Sequence, residues 1–104
     1  MNKKIVGVDL GGTNIRAAIV NGENLLNFKS SPVDIKNGGE RIINQLVDLI
    51  KEIISGHRVT GIGIGVPSYV DVEHGIVYDT VNLPGWNEVH LKTRLEKIFS
   101  IPVN

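Results

Sequence analysis

The fold is decided by the stretch Ile5-Val6-Gly7-Val8-Asp9-Leu10-Gly11-Gly12-Thr13-Asn14-Ile15-Arg16-Ala17-Ala18-Ile19-Val20. Its two apolar runs are rich in β-branched residues and too short for helices, which is typical of buried strands. Between the runs, an aspartate leads into a glycine pair and a threonine. The stretch therefore predicts two strands joined by a tight polar turn.

The turn carries the groups that are needed to hold phosphates. Gly11 and Gly12 let backbone N–H groups approach an anion without interference from a Cβ atom, and the Thr13 hydroxyl adds a donor. Asp9 would repel a phosphate, so its carboxylate suits Mg²⁺ held through water. The alternative is an ordinary hairpin, because Gly-Gly is also a common turn. For Arg16 the sequence leaves two roles open: a contact with phosphate, or a place on the surface of the strand.

Two commoner phosphate-binding motifs are absent from the sequence. A Walker loop consists of a glycine, four further residues and then Gly-Lys-Ser/Thr, and this chain has no such pattern. The dinucleotide fingerprint Gly-x-Gly-x-x-Gly fails after Gly61 and Gly63, because Val66 occupies the third glycine position. Pro67 follows, so no helix begins there.

The opening strands continue as a meander. Asn21-Gly22 is a hairpin signal, and a third strand is predicted over about 24–30, ending at Ser31-Pro32.

An amphipathic helix is predicted over 38–55. Asn37 is predicted to cap it in a capping box with Glu40, and Gly56 suits the position just past its end. Its apolar face is formed by Ile42, Ile43, Leu46, Leu49, Ile50, Ile53 and Ile54.

Glycine alternates with β-branched residues over 59–66, which predicts a strand with one face of bare backbone, closely approached by a helix or a ligand. A loop with short strands is predicted over 67–85. A second helix follows over about 91–99, with Leu91, Leu95, Ile98 and Phe99 facing inward. Residues 101–103 begin another strand. The order β-β-β-α-β-α-β predicts an α/β fold whose mixed sheet includes a parallel pair made by crossover and is flanked by helices.

Composition excludes several classes of partner. The formal net charge of the 104 residues is zero, which disfavours nucleic acid, and no polybasic cluster suits a membrane surface. No apolar run is long enough to span a bilayer, and Asp9 interrupts the first one, which argues against a signal peptide. Cysteine is absent, so no disulfide framework exists. We expect a cytoplasmic protein.

The ordered motifs resemble a known family. Asp9-Leu10-Gly11-Gly12-Thr13-Asn14-Ile15-Arg16 is similar to the first phosphate motif of the actin-like ATPase and sugar-kinase superfamily, and more narrowly of the ROK sugar kinases and repressors. The later landmarks follow at family-like spacing: Gly61-Ile62-Gly63-Ile64-Gly65-Val66-Pro67, Gly75-Ile76-Val77, Asn82-Leu83-Pro84-Gly85-Trp86 and Ile101-Pro102-Val103. The resemblance covers essentially the whole chain and is greatest to the glucokinase-like members. It implies a ribonuclease H-like fold of the actin and hexokinase type.

The resemblance also implies site residues. It implies that ATP and Mg²⁺ bind on a nucleotide side formed by Asp9, Gly11, Gly12, Thr13 and Asn14, with Asp9 facing the metal.

The implied sugar side takes Pro67, Ser68 and Asn82. The Asn82 amide suits hydroxyl recognition because it both donates and accepts hydrogen bonds. The family usually has Pro-Gly where this chain has Pro67-Ser68, which leaves the sugar open, and Ser68 is either a hydroxyl donor to it or a turn residue. Trp86 is expected in the core rather than stacked on a sugar.

The resemblance implies that the chain is an amino-terminal domain, residues 1–104, of a kinase about three times its length. The catalytic aspartate of an Asn-Asp motif would lie just beyond Asn104, so no catalytic base is expected in this chain. A second domain, a zinc motif in most relatives and a homodimeric or higher assembly would belong to the longer protein.

The implied activity is transfer of the γ-phosphoryl group to a hexose, with the fragment alone inactive. Alternatives are a kinase for N-acetylmannosamine, N-acetylglucosamine or fructose, polyphosphate as the donor, or a sugar-sensing regulator. Against the regulator, only eight residues precede Asp9, too few for a helix-turn-helix segment.

Overall fold

The computed structural model describes residues 3–66, 69–78, 83 and 85–104. The elements follow in chain order: β1 (Lys4–Leu10), β2 (Asn14–Asn21), β3 (Asn24–Pro32), α1 (Gly39–Ile54), β4 (Ile62–Gly65), β5 (Tyr69–Asp71), β6 (Ile76–Tyr78), β7 (Glu88–His90) and α2 (Leu91–Phe99). The meander and both helices are confirmed. The strand predicted over 59–66 is shorter, and β7 was not foreseen.

The main sheet has the strand order β3-β2-β1-β4. The hairpins β1–β2 and β2–β3 are antiparallel, whereas β1 and β4 are parallel, as the crossover through α1 requires. Beyond β4, Val103 forms a parallel bridge with Ile62, which confirms that another strand begins there. A smaller antiparallel sheet has the order β5-β6-β7.

The core lies between the main sheet and α1. Val6, Val8 and Leu10 of β1 point to the helix, because side chains alternate between the two faces of a strand. The apolar stripe of α1 meets them and is almost completely buried, as its periodicity predicts. The fully buried side chains between the two layers include Ile15, Ile19, Ile42, Leu46 and Ile50.

The predicted cap of α1 is wrong. Gly38 occupies the N-cap position with φ +88°, and no side chain caps the helix. The Asn37 amide donates instead to the Asp34 carboxylate at 2.9 and 3.0 Å, and this bond is the main reason that the pKa of Asp34 is lowered. Glu40 does not reach back to the helix start, because both of its oxygens accept from Arg94 of α2.

Two smaller expectations also need correction. The hairpin between β2 and β3 turns at Gly22 and Glu23, one residue later than predicted, because Asn21 still pairs with Asn24. In α2, Leu91 and Leu95 are buried but Ile98 is 46% exposed, so the inward face is shorter than its periodicity suggested. Gly56 follows α1 with φ +79°, the conformation expected just past a helix end.

Candidate functional site

The predicted phosphate turn lies at the end of β1. The Gly11 N–H donates to the Asn14 carbonyl oxygen at 3.0 Å, which closes the turn around Gly12 and Thr13. The φ of Gly11 lies outside the left-handed region, and a Cβ atom there would lie 3.4 Å from that same oxygen. Gly11 therefore adopts no conformation that demands glycine, and its missing side chain leaves the Asn14 carbonyl oxygen uncrowded within the turn.

Asp9 lies beside this turn and next to the oppositely charged Arg16. In the sheet it pairs with Arg16 of β2 on one side and with Gly65 of β4 on the other. Both charged side chains are exposed on the face of the sheet opposite α1. Among the described residues, the Asp9 carboxylate and the Thr13 hydroxyl have no hydrogen-bond or ion-pair partner. These groups are free to bind a ligand.

The turn is held from behind by the end of β3. The Val33 N–H donates to the Thr13 carbonyl oxygen at 2.9 Å. The next residue, Asp34, donates its N–H to Oε1 of Gln45 on α1 at 2.9 Å, and the amide of Gln45 donates to the Pro32 carbonyl oxygen. Nothing in the sequence singles out Gln45, because it lies next to the exposed Asn44 as one of several polar residues of α1.

One edge of the sheet holds the ends of β1, β4 and residues 102–104, which all run in the same direction. Asp9 pairs with Gly65, the last residue of β4, so β1 and β4 end at nearly the same level beside the turn. Asn104 lies beyond β4, where its carbonyl oxygen accepts from the Ile64 N–H at 2.8 Å. In open α/β sheets, ligands bind in the crevice outside the carboxyl ends of the strands.

Of the motif over 82–86, which was predicted to lie near the sugar, the structure describes only residues 83, 85 and 86. Pro67, Ser68 and Asn82 lie outside the described residues. Leu83 and Trp86 are each 1% exposed, and the backbone N–H of Trp86 donates to the Leu83 carbonyl oxygen at 3.1 Å. The expectation of a core role for Trp86 is confirmed.

The histidines form surface contacts in this chain. His74 lies 2.8 Å from the Asp71 carboxylate, whose pKa is lowered chiefly by this side-chain bond, and His90 lies 2.9 Å from Glu88. Within the described ranges, no three His, Cys, Asp or Glu side chains are grouped so that they could hold a metal ion. In the same ranges, neither helix has the length and apolarity that a bilayer crossing requires.

This geometry agrees with a match to the profile of the ROK family over residues 5–104. The chain belongs to the ROK family. A glucokinase of Halalkalibacterium halodurans is 34% identical over 105 residues, covering 94% of this chain and 31% of the glucokinase. A xylose repressor of Caldicellulosiruptor bescii is 30% identical over 105 residues, covering 95% of this chain and 26% of the repressor.

Solved ROK structures share the fold. The crystal structure of a ROK family glucokinase from Streptomyces griseus, in complex with glucose and AMPPNP, has a TM-score of 0.85. It is 30% identical, and the match covers 96% of this chain and 31% of that one. The expected α/β fold of the actin and hexokinase type, with a mixed sheet, is thereby confirmed. The chain spans about 30% of the length of these relatives.

Proposed function

We propose that the chain is the amino-terminal domain of an ATP-dependent, glucokinase-like sugar kinase that transfers the γ-phosphoryl group to a hexose hydroxyl. The observation that carries this is the turn from Asp9 to Asn14. Its glycines, its free carboxylate and its free hydroxyl lie at the sheet edge where β4 also ends. The glucokinase relatives, including one solved with glucose and AMPPNP, support hexose and nucleotide as the ligands.

In this proposal the turn binds the nucleotide end of the reaction. The Gly12 backbone N–H and the Thr13 hydroxyl donate to phosphate oxygens, while the Gly11 N–H donates to the Asn14 carbonyl oxygen and so closes the turn. Phosphoryl transfer depends on positioning and electrostatic stabilisation, so a rigid set of donors is the main contribution that these residues can make.

Asp9 fits a magnesium ion held through water. Mg²⁺ usually keeps several waters and is bound through one or two carboxylates, and the Asp9 carboxylate is exposed and unpaired among the described residues. When bound, Mg²⁺ neutralises charge that develops on the transferring phosphoryl group. Arg16, level with Asp9, adds positive charge on the same side.

The sugar side is proposed from Pro67, Ser68 and Asn82. A carboxylate that orients the attacking hydroxyl would follow Asn104 in the longer protein, where the family has an Asn-Asp motif. The register supports this position, because residues 102–104 run parallel to β4 toward the edge that holds the turn. We therefore propose that the 104-residue chain alone has no kinase activity.

The experiment is coupled ADP release by the longer protein over a panel of glucose, mannose, fructose, N-acetylmannosamine and N-acetylglucosamine, repeated with polyphosphate as donor. We expect turnover with ATP and glucose. No turnover with any of these sugars would contradict the proposal. Sugar phosphorylation by the purified 104-residue chain would contradict its expected inactivity.

A matched pair of variants tests the role of Asp9. Asp9→Asn should lower kcat by roughly 100-fold or more, on the scale of losing a positioned electrostatic group. Glu23→Gln removes the same charge from the hairpin at the far end of β2 and should leave kcat unchanged. Equal effects of the two variants would exclude a specific role for Asp9.

A sugar-responsive regulator is the second candidate, favoured by the xylose repressor relative. Operator binding by the longer protein without sugar turnover would support it. For the kinase, we propose a cytoplasmic enzyme that assembles as a homodimer or higher homo-oligomer, which sedimentation of the longer protein would test.

A further inference from the structure

The end of β3 supports the phosphate turn from one side. Pro32 pairs with Asn14 of β2, and the next residue, Val33, donates its N–H to the Thr13 carbonyl oxygen at 2.9 Å. In the described part of the chain, β3 is an edge strand of the main sheet, so no strand lies along its outer side. Backbone groups on that side need other partners, because the end of an unpaired strand opens easily.

Gln45 of α1 supplies these partners with one side-chain amide. Its Oε1 accepts from the Asp34 N–H at 2.9 Å, and its Nε2 donates to the Pro32 carbonyl oxygen and, at 3.2 Å, to Ser31 Oγ. The two backbone groups flank Val33, whose own N–H points the other way, toward the turn. The amide of Gln45 therefore takes the place that a peptide group of a further strand would have.

This support is anchored in the core. Leu46, which follows Gln45, and Ile42, one turn earlier in α1, are both fully buried between the helix and the sheet. Val33 also packs against this core. Because close-packed interiors are stiff and transmit displacements, the bonds of Gln45 hold the end of β3, and with it Thr13, at a fixed position relative to the core.

We infer that Gln45 is a positioning residue for the nucleotide side of the site, acting through Val33 and Thr13. The inference rests on the proposed function, in which the Thr13 hydroxyl and the Gly12 N–H donate to phosphate oxygens. Such donors act through exact placement, which depends on the residues that support them. Gln45 itself is assigned no contact with the nucleotide.

The first test compares two substitutions of matched shape in the longer protein. Gln45→Met removes the hydrogen bonds but keeps the side-chain length, and should raise the ATP KM about fivefold while changing the hexose KM by less than about twofold, because misplaced positioning groups weaken productive binding. Asn44→Leu makes the matching change at the exposed neighbouring position and should alter neither constant.

The ratio of the two KM values distinguishes positioning from a general loss of stability. A smaller folded fraction lowers the apparent kcat but leaves both KM values unchanged, whereas a misplaced turn raises the ATP KM selectively. Circular dichroism melting measures the folded fraction of each variant. Gln45→Ala is the second variant, and the same selective rise in ATP KM is expected from it.

Hydrogen exchange examines the support without relying on activity. In the longer protein, mass spectrometry of peptides covering residues 31–34 should show exchange about tenfold faster in Gln45→Met than in the wild type, because the end of β3 opens more often. Peptides covering β1, where the Val6 N–H donates to the Gly61 carbonyl oxygen at 2.9 Å, should change much less. Asn44→Leu should leave both sets unchanged. Unchanged exchange over 31–34 in Gln45→Met would overturn the support itself.

The outcomes separate the two proposals. If the wild type phosphorylates a hexose but Gln45→Met leaves the ATP KM unchanged, or raises both KM values equally, the positioning role is overturned while the kinase function stands. If the wild type phosphorylates no sugar of the panel, the proposed function fails and the positioning role falls with it.

Discussion

The two faces of the main sheet are built from the same strands but differ sharply in side-chain size. The face toward α1 carries branched aliphatic residues that are nearly all buried. The opposite face carries a row of small residues across adjacent strands, since Gly7 of β1 is level with Ala18 of β2 and Gly63 of β4. Among the described residues, nothing lies within 4 Å of a Cβ atom built on Gly63.

The small residues make the second face an open hollow of about 380 Å³. Asp9 and Arg16 lie at one end of it, and Leu25 and Phe28, which are 65% and 62% exposed, lie at the other. One face thus holds the fold together, while the other leaves the backbone accessible beside the candidate site. Alternation along a strand makes this division possible, because successive residues serve different faces.

The largest expected effect contrasts the faces directly. Leu46→Ala on the covered face removes a fully buried side chain and should lower the free energy of unfolding by about 2–5 kcal/mol. Phe28→Ala on the open face should change it by no more than about 0.5 kcal/mol, because the ring is mostly in solvent. Urea unfolding followed by circular dichroism measures both. Comparable losses would show that the open face is packed against something.

A smaller effect of opposite sign is expected from Gly63→Ala. The added Cβ atom has free space, and replacing glycine within a strand should raise the free energy of unfolding of the 104-residue chain by roughly 0.5–1 kcal/mol. Gly39→Ala is the matched comparison, because the same added atom meets Gly85 and Trp86 at 3.0 Å and should destabilise. A loss of stability in Gly63→Ala would mean that this face is not open.

Local patterns predicted the parts of the fold that depend on neighbouring residues. Alternation and periodicity located the meander and both helices, and one short motif located the turn at Gly11. The predicted cap of α1 was wrong because Gly38 occupies the N-cap position and the Asn37 NH₂ group donates to Asp34, an arrangement that depends on how the preceding loop is folded.

Contacts between distant residues were not predictable in this way. Gly39 and Gly85 are 46 positions apart, and neither shows from sequence alone that it needs the other.

In the candidate site, the turn from Asp9 to Asn14 could be predicted because all of its groups are adjacent in sequence. The sugar-side residues Pro67, Ser68 and Asn82 remain predictions.

The smallest expected effect concerns the polar rim of the covered face, where Arg94 of α2 holds Glu40 of α1 at 2.6 and 2.8 Å. This bond is the main reason that the pKa of Glu40 lies below its ordinary value of 4.5. A lowered folded-state pKa gives stability that is complete above the unfolded value and is lost as the pH falls through the folded one.

The Tm of the wild type should therefore exceed that of Glu40→Gln by at most a few degrees at pH 7, because the pair is exposed and screened by salt. The difference should shrink as the pH falls below about 4.5, where Glu40 is protonated in the unfolded chain, and should vanish once the pH has fallen through the lower pKa of the folded state. Asp34 and Asp71 titrate in both proteins and cancel in the comparison, while Glu23→Gln controls for the loss of one negative charge. Thermal melts from pH 7 to pH 3 measure the effect, and a difference that grows on acidification would show that this ion pair does not stabilise the link between α1 and α2.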